Sequence, residues 1–354
     1  MTTESSSPAA AMKADTVPQM SHMVILAPNW LGDAVMALPA IADVRRELPG
    51  ASIAIAARAT VAPLFHMVSE VNDVIVLERP RDATVWSGWR DAGAGLRNRQ
   101  FGLALLLPNS FQSAFSVSRA GIAERWGYRT DWRTPLLTRA IAPPRQIHQI
   151  EYYQYLVHAL GFRNGRAEPT ITVPADARAV GLATLTSAGW DGRVPVVALA
   201  PGAAYGSAKR WPPEYFAELA RSLVMDGVVV VLVGSVADQR TGEEVEATCG
   251  TGCTLVNLIG RTDLSTLAGV LVHCRALVSN DSGAMHLGAA VGVPVTAVFG
   301  PTNDLVTRPL GDAHVVLTHQ VWCRPCMLRE CPLDHRCMRG IGARVVLDAV
   351  RRTL

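Results

Sequence analysis

The run VVVVLVG at 228–234 leaves little choice of local structure. Successive β-branched residues favour an extended strand, and a strand that is apolar at every position must be covered on both faces. That environment is a parallel sheet held between layers of helix. MVILAP (23–28), SIAIAA (52–57), NDVIVLE (72–78) and FGLALLLPN (101–109) are runs of the same kind. Between them lie helical segments around 60–68, 84–99 and 111–119, and AVMALPAIADVRREL (34–48), whose apolar residues recur at helical spacing. Asp33 stands where it can cap that last helix, and Pro39 implies a kink or a late start. A long helix at 149–162 follows, then the polar, Gly/Pro-marked RNGRAEPTITVPADARAV, which reads as a linker. The alternation then resumes. Strands are expected at 195–200, 228–233, 253–256, 276–279 and 294–299, with helices at 213–226, 237–248, 264–274 and 283–291. The fold class is therefore α/β: two doubly wound, Rossmann-like parallel-sheet domains, at 23–175 and 176–340. A helix at 341–354 is expected to pack back on the first domain. Ligands in such sheets bind beyond the carboxyl ends of the strands, so the cleft between the domains is the expected site.

Several function classes are disfavoured. No apolar run approaches the roughly 20 residues of a membrane-spanning helix. Residues 1–22 are rich in Ser, Ala and Pro, lack a signal-peptide core, and read as a disordered tail. The expected location is the cytoplasm, and the seven cysteines are then expected as reduced thiols or metal ligands, not disulfides. A net charge of +3 does not by itself call for nucleic acid. There is no G-x-G-x-x-G after the first strand, no G-x-x-x-x-G-K-[ST] and no G-x-S-x-G, which weighs against a dehydrogenase, a P-loop enzyme and a serine hydrolase.

Two loops look chemical. In NDSG (280–283) a strand ends, Asp281 or Ser282 can cap the next helix, and Gly283 lets a ligand approach the backbone. The first-turn N–H groups and the positive end of the helix dipole would then meet a phosphate, with His286 one turn in. An ordinary capped helix with a packed His is the alternative. PGAAYGSAKRWPPEYF (201–216) carries Lys209, one of only two lysines in a chain whose other 31 basic residues are arginines. An ammonium is a compact charge that meets several phosphate oxygens at once, whereas a guanidinium is a planar fork. A solvated Lys–Arg pair, with Trp211 covering the helix start, is the plain alternative. Asp33, on the Gly32 loop of the first domain, would face those loops as a carboxylate, or act only as a helix cap. Arginines interleaved with Trp126, Tyr128 and Trp132 between 119 and 145 suit an acceptor bearing phosphates and sugars, a nucleic acid, or simply solvent. CRPCMLRECPLDHRCM (323–338) has the spacing C-x2-C-x4-C-x5-C with His335 inside it, which could close a tetrahedral zinc site or form a loop of packed thiols.

Taken together, PNWLGDAVMALPAI (28–41), PGAAYGSAKRWPPEYFAELA (201–220), VSNDSGAMHLGAAVGVPVTAVFGPT (278–302) and the cysteine-rich segment resemble the signature segments of the bacterial lipopolysaccharide heptosyltransferases, type II in particular. The resemblance runs from Met23 to Leu354. It implies a GT-B fold and an inverting glycosyltransferase with no metal and no cofactor. It also implies an ADP-heptose donor on the second domain and a lipopolysaccharide inner-core acceptor on the first, at the inner-membrane surface, with no nucleic acid. The enzyme would be monomeric and cytoplasmic, or peripheral on the cytoplasmic membrane face. Carried onto this sequence, Asp33 in the Gly32–Asp33 pair is the base, and Lys209 stabilises the diphosphate leaving group. Gly202, Asp281, Ser282, Gly283, Ala284 and His286 hold the donor, Asp238 contacts the nucleotide, and Thr262 marks the backbone near adenine. Ala203 and Ala204 stand where type I enzymes carry hydroxyl residues, a departure that, with the cysteine-rich loop, favours type II. A type I or III position, a nucleotide-dependent oxidoreductase and a non-catalytic nucleotide or nucleic-acid binder remain the alternatives.

Overall fold

A computed structural model describes residues 21–77 and 93–354. Two six-stranded parallel sheets organise it, in the orders β3-β2-β1-β4-β5-β6 and β12-β11-β10-β7-β8-β9. The first comprises β1 (His22–Leu26), β2 (Ser52–Arg58), β3 (Asp73–Leu77), β4 (Leu103–Leu106), β5 (Glu124–Tyr128) and β6 (Arg139–Ile141). The second comprises β7 (Val196–Ala200), β8 (Val229–Leu232), β9 (Leu255–Asn257), β10 (Ala276–Asn280), β11 (Val295–Phe299) and β12 (Val315–Thr318). The central strands β1, β7 and β10 are buried almost throughout, as all-apolar runs demand. In both sheets the order reverses beside the first strand, next to β4 in one and next to β10 in the other. Loops leaving β1, β7 and β10 therefore open at the switch points where ligands bind.

The helices that matter below are α1 (Leu31–Met36), α2 (Leu38–Glu47), α3 (Phe111–Arg119), α4 (Gln149–Ala159), α5 (Ala175–Ser187), α6 (Pro213–Met225), α7 (Gln239–Cys249), α8 (Leu264–Leu271), α9 (Gly283–Ala290) and α10 (Ala343–Arg351). The expected helix at 34–48 is in fact two. It begins at Leu31 and breaks at Ala37, so Pro39 falls at the start of α2, where its missing N–H costs nothing. Asp33 consequently lies in the first turn of α1 and makes no capping bond; Trp30 holds the cap position. Strands β5, β6 and β12 were not anticipated. The expected helix at 84–99 falls mostly outside the described residues, and only Ala94–Arg97 of it is seen as a helical turn. The tail at 1–22 likewise lies outside them, save that β1 already begins at His22.

Three further expectations give way. The segment read as a linker over 163–180 contains the start of α5, which packs on α8 through glycines: a Cβ on Gly181 would overlap the Gly269 backbone, and one on Gly269 the Ala177 carbonyl. The preceding stretch is tied to both sides, since Ile171 N–H donates to Ala290 O at 3.0 Å and Thr172 N–H to Met67 O at 3.0 Å. The terminal helix α10 packs on α6 in the second domain, not on the first. Its Val346, Leu347 and Val350 join a core with Phe216, Leu219 and Leu223. Among the cysteines, Cys249 and Cys253 form a disulfide, contrary to the expectation of thiols throughout. Helix α7 ends at Cys249, and Gly250 turns the chain with φ of 75°, which brings the four-residue spacing back on itself. Cys274, Cys323, Cys326, Cys331 and Cys337 are free thiols. Among the described residues no helix is long and apolar enough to cross a membrane.

Replacing Gly181 with Leu should force α5 away from α8. Chemical denaturation is expected to show a loss of about 2–3 kcal/mol, the usual cost of overpacking a close helix crossing.

Candidate active site

The site is built where α1 meets α9. The two helix starts approach so closely that each needs a glycine. A Cβ on Gly32 would stand 2.8 Å from His286 Cδ2, and one on Gly283 would stand 2.9 Å from Leu31 Cβ. This contact carries Asp33, the residue after Gly32, to the edge of the second domain. Burial pushes the Asp33 carboxyl above its ordinary value of 3.8; Lys209 pulls it down and Asp281 pushes it up. Asp33 therefore feels both charges across the domain junction. A carboxylate so raised is a stronger base than a free one.

Lys209 closes a short 3-10 turn, Ser207–Lys209, beyond the end of β7. Its Nζ lies 2.6 Å from Asp281 Oδ2 and 4.9 Å from the centroid of the Tyr205 ring. Asp281 also accepts a hydrogen bond from Thr302 Oγ1 at 2.7 Å. The pair is largely buried, Lys209 at 14% and Asp281 at 6% side-chain exposure, so this is not a solvated surface charge. Neighbouring Asn280 ties the two loops together. Its Oδ1 accepts from Trp211 N–H at 3.0 Å, and its Nδ2 donates to Pro201 O at 2.8 Å. Trp211 is fully buried and donates Nε1–H to Ile341 O at 2.7 Å, so it does cover the helix start.

Ser282 occupies the cap position of α9 without capping it; its hydroxyl instead lies 3.1 Å from that of Ser279. Ala284 follows Gly283 in the first turn. His286 is wholly enclosed, and burial pushes its pKa down to about 4, with Asp281 opposing and His148 and Lys209 adding to the depression. It therefore packs neutral against Gly32. Gly202 touches Asp238, whose carboxylate would overlap any Cβ there. Asp238 Oδ2 accepts from Ser235 N–H at 3.0 Å and from its hydroxyl at 2.7 Å, which fixes the carboxylate against the β7 loop. Thr262 Oγ1 is buried with no hydrogen-bond partner. The geometry thus gathers Asp33, Lys209, Asp281, Gly283 and His286 around one junction and sets Gly202 with Asp238 beside it.

Other expectations change. Arginines at 119–145 are partly structural. Arg125 Nε donates to Leu136 O at 2.7 Å, Arg139 stacks on Trp126 at 4.4 Å, and the fully buried Arg133 bonds Tyr128 O at 2.9 Å and the Ser113 hydroxyl at 3.0 Å. Trp132 is 93% exposed beside them, and Arg119, Arg129 and Arg145 are exposed as well. Among the described residues no three His, Cys, Asp or Glu side chains are grouped so as to hold a metal ion. His335 instead places Nε2 2.6 Å from Ala208 O, and the cysteine-rich loop packs on the Lys209 loop. Tyr205, Asn280 and Thr302 were missed from sequence. All three lie inside quoted motifs, but an amide, a hydroxyl or a phenol ring announces no partner in a linear pattern.

Residues 89–336 match glycosyltransferase family 9 (heptosyltransferase). The chain belongs to that family. It is 32% identical over 299 residues to lipopolysaccharide heptosyltransferase 2 of Escherichia coli (strain K12), covering 81% of this chain and 85% of that one. It is 31% identical to lipooligosaccharide heptosyltransferase 2 of Haemophilus influenzae, covering 84% and 88%. The solved structure of E. coli ADP-heptose lps heptosyltransferase II superimposes with a TM-score of 0.81 at 29% identity, over 94% of this chain and 98% of that one. A family 9 glycosyl transferase from Veillonella parvula gives 0.86 at 20% identity, over 96% and 99%, a likeness of fold. The GT-B architecture and glycosyltransferase activity of family 9 follow.

The His286 shift sets a pH dependence. Below its ordinary value of 6.5 the unfolded chain binds a proton there that the folded chain refuses until about 4. Stability should fall as pH drops through that window, by up to about 3 kcal/mol from this group. Burial also lowers the pKa of His148 and His314, which adds to the same trend. His286→Gln should flatten the slope measured by denaturation between those pH values.

Proposed function

We propose that this family 9 enzyme transfers heptose from ADP-L-glycero-D-manno-heptose onto the first heptose of the lipopolysaccharide inner core, with inversion. The observation that carries the reading is the junction itself. A base-like carboxylate from one domain, Asp33, sits within electrostatic reach of the cation Lys209 and the start of α9 from the other. That is the arrangement group transfer needs, with acceptor activation on one wall and leaving-group stabilisation on the other. The named relatives supply the sugar and the acceptor class.

In this reading Asp33 removes the proton from an acceptor hydroxyl. The oxygen attacks the anomeric carbon from the face opposite the diphosphate, the bond from that carbon to the diphosphate oxygen breaks, and ADP leaves. Charge growing on the diphosphate is met by Lys209 and by the N–H groups at the start of α9, where no side chain caps the helix. Asp281 holds Lys209 ready and releases it as the anion arrives. Asp238, held against Gly202, takes the nucleoside, and Thr262 lies along the adenine. His286 keeps α9 seated on α1. The crossover at 171–172 bonds to both domains and is the pivot for opening. Both walls come from one chain, so one copy holds the whole centre, and the enzyme is read as a monomer. It meets its lipid-linked acceptor at the cytoplasmic membrane face through the edge that bears Trp132.

Incubation with ADP-heptose and a core acceptor bearing one heptose should add a single heptose by mass spectrometry; no addition would sink the assignment. Asp33→Asn should cut turnover by about a hundredfold or more while sparing ADP binding. Lys209→Ala should lose about 2–4 kcal/mol of transition-state stabilisation, seen in kcat/KM. Full activity in Lys209→Arg would refute the argument for a compact charge.

A further inference from the structure

We infer that Arg329, on the cysteine-rich loop, is a second cationic ligand for the donor's diphosphate, working beside Lys209. The inference rests on the donor reading above. Its starting point is that Lys209 is already paired. The ion pair with Asp281 at 2.6 Å leaves the cradle close to neutral at that point. A diphosphate carries more than one negative charge and gains another as it departs. The partial charge at the start of α9, about half a unit, does not balance it. A further cation must come from a neighbouring element.

The cysteine-rich loop brings one. Its backbone is fixed to the residues flanking Lys209. Arg329 O accepts from Ala208 N–H at 3.0 Å, and any Cβ on Gly206 would overlap that same carbonyl. Tyr205 donates its hydroxyl hydrogen to Met327 O at 2.9 Å. The Tyr205 ring carries both cations, with Lys209 Nζ at 4.9 Å and Arg329 Cζ at 5.2 Å from its centroid. Two positive charges on one ring repel each other, and only Lys209 has a carboxylate partner among the described residues. Arg329 is exposed, so its donors are open to a ligand. An anion that reaches both cations would offset that repulsion, and a guanidinium fork suits a pair of phosphate oxygens. The loop is anchored on its other side too: Arg324 Nε donates to Gly300 O at 2.9 Å and Met327 N–H to Pro301 O at 2.9 Å. The guanidinium therefore springs from a fixed base.

The test compares ADP with AMP, which differ by the second phosphate. Calorimetric titration of the wild type, Arg329→Ala and Arg329→Lys is expected to show ADP affinity falling about tenfold in the alanine variant, on the scale of one lost charged hydrogen bond. AMP affinity should barely change, and lysine should restore part of the loss. An ADP-over-AMP preference unchanged in Arg329→Ala, or equal losses for both nucleotides, would overturn the inference while leaving the donor reading intact. A wild type that binds neither nucleotide would overturn both. If the alanine variant does not fold, Arg329→Gln, which keeps an aliphatic stem and a polar end without the charge, is expected to show the same loss of preference.

Discussion

The close approach of α1 and α9 is the constraint on which the rest of this molecule depends. Two helix starts, one from each sheet, come together because Gly32 and Gly283 present no side chains to His286 and Leu31. Parallel sheets place all their strand ends on one edge, so each domain alone offers only half of a reaction centre. The glycine contact joins the halves and fixes how far Asp33 stands from Lys209. It also explains why His286 must be neutral. A charged imidazole there would lie buried beside Lys209, with only Asp281 to compensate it.

The second domain adds a different kind of order. Asn280 staples the β7 and β10 loops, Asp281 and Thr302 seat Lys209, and the cysteine-rich loop brackets the whole group from outside. None of these bonds reaches far, yet together they determine where a flexible four-carbon side chain ends. Pre-organisation of this sort is what the proposed role of Lys209 in bond breaking requires.

Much of this was legible in the sequence, and what was not has physical reasons. Strands such as 228–234 and 103–108 declare themselves because burial on both faces demands unbroken apolar residues. β5 and β6 do not, since they lie at one margin of their sheet and carry Arg125 and Arg139, whose charges reach carbonyls or stack on Trp126. Helix α5 was hidden because it packs through Gly181 and shows no broad apolar stripe. At the site, Lys209, Asp281 and Gly283 could be named from loop position. Their partners could not, because Tyr205, Asn280 and Thr302 act through contacts between distant segments. The Cys249–Cys253 bond is hidden in the sequence because it depends on the local turn at Gly250, which a four-residue cysteine spacing does not by itself declare.

The preference for arginine has one last consequence. Every basic side chain among the described residues except Lys209 is a guanidinium or an imidazole, neither of which carries a primary amine. Among the described residues Lys209 is thus the one side-chain primary amine, set in the candidate site and paired with Asp281. Among the described residues, a reagent that seeks lysine would find only Lys209, and under the proposed reading its reactivity would report whether the donor site is occupied.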